Sequence, residues 1–116
     1  MPNKKELTLY LQSQVRRMFQ ANRLHEAANL NYRVCQLNPN NADAWYSLSF
    51  ICLQINDLHC AENAARKSIS FNPKRTESYT VLGIALQKQY RYEEALTVYK
   101  SGLSLNTRNP DIYNNI

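Results

Sequence analysis

At 116 residues and 13.5 kDa the chain has room for one domain with a modest core. Apolar residues make up 44 % and charged residues 20 %, as in a folded globular domain, and two glycines with four prolines are too few for a turn-rich β protein, which leaves an all-α architecture. The formal charge of +5 is spread over short pairs such as Arg16-Arg17 and Lys74-Arg75, with no long run of like charge, so a basic binding tail is excluded and a solvated basic surface is the plain reading.

From the N-terminus, Leu7 to Leu11 is too short an apolar core for a signal peptide, because Gln12, Ser13 and Gln14 follow it directly. Helices are expected over residues 5–20 and 24–37, with Asn22 in the tight turn between them, where asparagine tolerates left-handed geometry. Asn38-Pro39 ends the second helix, since proline lacks an amide proton and pushes the residue before it out of the helical region.

The next helix, 42–55, carries two apolar stripes. Trp45, Leu48, Ser49 and Cys52 fall on one face, while Tyr46, Phe50 and Leu53 fall on another, so the helix must bury two faces or offer one to a partner. Asn56 takes the following turn, a helix spans 58–71, and Asn72-Pro73 stops it. Two more helices are expected over 76–89 and 92–105, joined at Tyr90, a residue less suited to that turn than asparagine. Thr107 stands where a proline would close this pair, Pro110 follows, and Pro110 to Ile116 begins a further helix. No segment approaches the ~18 apolar residues of a membrane span.

These elements repeat every 34 residues. Ala27, Ala61 and Ala95 share one phase, as do Leu24, Leu58 and Tyr92; Cys35, Ile69 and Leu103; Met18, Cys52 and Leu86; and Asn38, Asn72 and Asn106. Leu11, Trp45, Tyr79 and Tyr113 form a mainly aromatic column that fills the gap between successive helix pairs. The alanines open the second helix of each pair, where only a small side chain lets two helices approach closely, and Gly83 serves the same end opposite a large neighbour.

Chemistry-bearing residues are sparse. Cys35, Cys52 and Cys60 are odd in number and follow no metal spacing, so neither a disulfide framework nor a zinc site is indicated, and a reducing cytoplasm is the expected setting. His25 and His59 share a phase but sit on adjacent repeats, too far apart to ligate one metal. Glu93 and Glu94 open a helix, where carboxylates favour the positive end of the dipole. No phosphate-binding loop, nucleophile elbow or paired catalytic carboxylate is present, so neither an enzyme nor a cofactor is expected.

The pattern resembles the tetratricopeptide repeat, a helix-turn-helix unit marked by Trp-x2-Leu-Gly-x2-Tyr, then Ala-x3-Phe, then Pro. Tyr79, Leu82, Gly83, Leu86, Ala95 and Tyr99 carry it in the third unit, Trp45, Leu48, Ala61 and Pro73 in the second, and Ala27 and Pro39 in the first. The resemblance implies one domain over residues 1–116: a right-handed superhelical solenoid of three units, 8–41, 42–75 and 76–109, plus the start of a fourth at 110–116. An unfinished fourth unit implies a piece cut from a longer protein, or an uncapped end covered by self-association. First helices of such units line a concave side. This places Gln12, Arg16, Phe19, Tyr46, Phe50, Leu53, Val81, Ile84 and Lys88 on the expected partner-binding face, where a peptide or protein segment would be anchored by apolar side chains. The alternative at these positions is that Tyr46, Phe50 and Ile84 pack only against neighbouring inner helices.

Where one subgroup of the family grips a peptide carboxylate with lysines, asparagines and arginine, this chain has Gln12, Arg16, Ser47, Glu77 and Val81, so that clamp is absent. An inner asparagine ladder, known from transferases that add N-acetylglucosamine, is matched here only by Asn115. The expected function is a protein-interaction scaffold; the alternative is the substrate-presenting, non-catalytic part of a larger transferase. Nucleic acid is not expected as a partner, because the base-reading pairs of RNA-binding helical repeats are missing.

Overall fold

The computed structural model describes residues 1–106. Within them the chain forms six helices and no strand: α1 (Lys4–Gln20), α2 (Leu24–Leu37), α3 (Ala42–Gln54), α4 (Leu58–Phe71), α5 (Thr76–Lys88) and α6 (Tyr92–Asn106). The start of a fourth unit at 110–116 and the aromatic position Tyr113 lie outside the described residues.

Each helix packs on the next in sequence, and α3 also packs on α5, so pairs α1–α2, α3–α4 and α5–α6 stack into an all-α solenoid with extents of 52 × 31 × 23 Å. Side-chain caps start three of the helices. Asn3 accepts from the Glu6 amide, Asn41 from the Asp43 and Ala44 amides, and Asp57 from the Cys60 amide, each satisfying donors that a helix start leaves unpaired.

Within each pair the turn is the same. Asn22, Asn56 and Tyr90 take φ of 60°, 61° and 64°, and the amide just after each bonds back to the carbonyl of Met18, Cys52 or Leu86 at 2.8–3.0 Å. This is the left-handed helix stop that asparagine accepts readily. Tyr90 holds it as a residue with a Cβ conflict and an 80 % exposed side chain, so the geometry is imposed by the pair that it joins.

Packing follows the repeat columns. Ala27 and Ala61 are fully buried and Ala95 is 3 % exposed, as a close helix approach requires. A Cβ on Gly83 would stand 2.6 Å from Cδ1 of Tyr99, and one on Gly102 would stand 2.9 Å from Cβ of Tyr79, so both glycines admit an aromatic ring from the partner helix. The aromatic column also ties the turns: Trp45 Nε1 donates to the Pro39 carbonyl and Tyr79 Oη to the Pro73 carbonyl, both at 2.7 Å. Between units, the buried Asn31 donates to the Ala44 carbonyl at 2.9 Å and Ser68 bonds Ser78, while Ser68 also donates to the Ala42 carbonyl within its own unit. The cysteine expectation is corrected at one place: Cys52 and Cys60 are joined as a disulfide, while Cys35 is free and buried.

The tie between the second and third units contains a carboxylate that the sequence pattern gave no reason to bury. Glu62 on α4 is 11 % exposed; it accepts from Arg66 at 2.9 Å through Oε2, and from Arg91 at 2.8 Å and Gln89 at 3.1 Å through Oε1. Burial alone would push its carboxyl up, but the hydrogen bonds from Gln89, Arg66 and Arg91 outweigh it and hold the group below its ordinary 4.5. The unfolded chain therefore takes up this proton more readily than the folded one. Its stabilisation is complete above about pH 4.5 and is lost as pH falls through the lower folded value. Glu62→Gln is expected to cost roughly 1–2 kcal/mol near neutral pH and to lose less stability on acidification to about pH 3. Urea midpoints of the two chains check this, and equal acid sensitivity would contradict it.

Candidate functional site

Two first helices build the site. The last two turns of α1 present Val15, Arg16, Phe19 and Gln20, and α3 presents Tyr46, Ser47, Phe50 and Ile51, all lining one open depression of about 360 Å³. Helical spacing explains the set, because side chains three and four residues apart stand on one face.

Its rim is aromatic. The Phe19 and Phe50 ring centroids are 6.0 Å apart and those of Tyr46 and Phe50 are 6.4 Å apart, with tilted planes. Phe19 is 36 % and Phe50 37 % exposed, so the rings touch one another and still face solvent. Tyr46 is half-buried beneath the guanidinium of Arg75, whose Cζ stands 4.4 Å from the ring centroid. Arg75 is held in place by Asp43 and, at 3.7 Å, by Glu77. A backbone hydrogen bond and the Thr76 hydroxyl, more than the charge of Arg75, keep the Glu77 carboxyl below its ordinary range. Arg16 is exposed at the depression's edge.

The structure thus brings together Arg16, Phe19, Tyr46 and Phe50 of the nine residues expected on this face. Gln12 is half-buried one turn earlier on α1, and Lys88 is exposed at the end of α5. Leu53 and Val81, at 9 % and 4 % exposure, belong to the core, and Ile84 packs against it half-buried. These three support the face from below, where α3 meets α5. Val15, Ile51 and Arg75 were not among the expected residues. Val15 and Ile51 read as core positions, and the one signal for Arg75 is the Lys74-Arg75 pair immediately before α5.

Among the described residues, no three His, Cys, Asp or Glu side chains are grouped to hold a metal ion, and no helix is long and apolar enough to cross a membrane.

Comparison with known proteins agrees with this architecture. Residues 42–75 match the sequence profile of the tetratricopeptide repeat. Over 60 residues, 52 % of the chain, the sequence is 35 % identical to Tetratricopeptide repeat protein 8 of Caenorhabditis elegans, and the match spans 12 % of that relative's length. The Arabidopsis OM64 repeat domain superposes with a TM-score of 0.84 at 20 % identity, covering 93 % of this chain and 89 % of that one. The first repeat domain of Spaghetti (RPAP3), solved with the HSP90 peptide SRMEEVD, superposes with a TM-score of 0.80 at 20 % identity, covering 93 % of this chain and 86 % of that one. At these identities the solved structures share the fold.

Proposed function

We propose that this chain, a member of the tetratricopeptide-repeat family, is an interaction module that takes a short protein segment into the depression between α1 and α3. The observation that carries the reading is the pair Phe19 and Phe50, two large rings in mutual contact that are each left about a third exposed beside a cation. A solvent-facing apolar patch of this kind is a recognised mark of a binding surface. An apolar or aromatic side chain of the ligand seats against the two phenylalanines, and its acidic groups face Arg16 and, further along, Lys88. A peptide ligand is also what the similar Spaghetti domain holds. The gripping positions of the carboxylate-clamping subgroup are Gln12, Arg16, Ser47, Glu77 and Val81 here, one cation in place of the subgroup's full set, so the anchor proposed is the aromatic rim rather than a clamped chain end.

Selection of peptides from a random displayed library against the immobilised chain tests this. Selected peptides are expected to combine an apolar anchor with acidic residues, and on titration to shift amide signals around Phe19, Tyr46 and Phe50. Selected peptides that instead moved signals only on α2 and α4 would overturn it.

A further inference from the structure

The central unit differs from its neighbours in sulfur. Where the first unit has Met18 and Glu26, and the third has Leu86 and Glu94, the second has Cys52 and Cys60, and these two are bonded to each other. The repeat geometry brings the positions together. Cys52 is in the last turn of α3 and Cys60 in the first turn of α4, and the left-handed Asn56 folds one helix back on the other. Their Cα atoms stand 5.8 Å apart, a separation that a disulfide spans without backbone movement.

The three sulfurs differ in access. Cys35 is wholly buried, and burial pushes its thiol up to about 12, which keeps it protonated and unreactive. Cys52 is 1 % exposed. Cys60 is half-buried and lines an open cleft of about 490 Å³ on the α2–α4 side, together with Tyr32, Asn63, Ala64 and Lys67. A reagent thus reaches the bridge from one side, at Cys60.

We propose that Cys52–Cys60 is a thiol–disulfide exchange site, opened by a dithiol that enters the cleft beside Cys60, and that its state sets the stability of the central repeat. In the first step a thiolate of the dithiol bonds to Cys60 Sγ, the bond to Cys52 breaks, and Cys52 Sγ keeps the electron pair and takes a proton. The second thiol of the reagent then displaces Cys60, which is protonated in turn. The reagent leaves as a disulfide, and the protein has gained two electrons and two protons. Lys67 in the same cleft attracts the incoming thiolate. Closing the bridge restricts the unfolded chain at the α3–α4 turn, and opening it returns that freedom. The inference is independent of what the aromatic depression binds.

The test uses the full chain, first equilibrated with oxidised glutathione. Unfolded in guanidinium with N-ethylmaleimide, it is expected to gain one adduct by intact mass, on Cys35, and three adducts after dithiothreitol treatment. A brief maleimide pulse on the reduced, folded chain should label Cys60 first. Dithiothreitol should lower the thermal midpoint by roughly 5–15 °C, and Cys60→Ser should lower it in advance and remove the response. Three adducts without reductant, first labelling at Cys35, or a midpoint indifferent to dithiothreitol would each overturn the proposal.

Discussion

Replacing Gly83 by valine is expected to lower the thermal midpoint by roughly 5–15 °C, among the largest stability effects foreseen for a single side chain here. The cause is the Tyr99 ring, which lies across Gly83 so closely that an added Cβ would stand 2.6 Å from both Cδ1 and Cζ. Tyr99 cannot swing aside freely, because its hydroxyl donates to Gln87 at 3.0 Å, one turn further along the same α5 helix. An exposed helical glycine replaced by alanine gains about 1 kcal/mol of helix propensity, so the prediction weighs a known gain against a clash. Overpacking of about 1–3 kcal/mol, together with the lower helix preference of a β-branched residue, outweighs it. The double variant Gly83→Val/Tyr99→Ala should recover part of the loss, since the alanine vacates the space that valine fills. A double-mutant cycle on urea midpoints measures that coupling, and additive effects would show that the two side chains do not contend for one space.

Much of the fold was legible in the sequence. A 34-residue period repeats one local geometry, so each column was constrained several times over: the alanines by close approach, the asparagines by left-handed turns, and the prolines by helix stops. Observed helix boundaries fall within a residue of those expected. Periodicity is weaker at deciding depth. Leu53 and Val81 were expected on the inner face, yet both are buried, because α3 packs on α5 as well as on its own partner. A helical wheel drawn for one helix does not include that second neighbour. Glu62 and the Cys52–Cys60 bridge escaped for a related reason. Burial of the Glu62 carboxylate depends on Arg66 one turn along α4 and on Arg91 from the next unit, and the cysteine pair meets only because the turn at Asn56 reverses the chain.

The proposed function is tested most directly at Phe50. Phe50→Glu is expected to weaken capture of groove-binding peptides by roughly 30-fold or more while leaving far-UV circular dichroism unchanged. Retained folding follows from position: Phe50 is 37 % exposed on the face of α3 opposite the buried Ser49 and Cys52 columns, so a carboxylate there stays in water. Lost capture follows from what the ring does. It touches both Phe19 and Tyr46, and removing it dissolves the continuous aromatic rim, while the new negative charge meets the acidic groups that Arg16 is placed to attract. A second variant separates this from any general effect of removing exposed apolar surface. Leu103→Glu on α6 removes a side chain that is 59 % exposed and lies away from the depression, so it should bind as the parent chain does. Fluorescence anisotropy with labelled selected peptides reads both. If Phe50→Glu bound normally, or if Leu103→Glu weakened binding as much, the depression between α1 and α3 would not be the site, because its defining ring would be dispensable or no more important than a distant one.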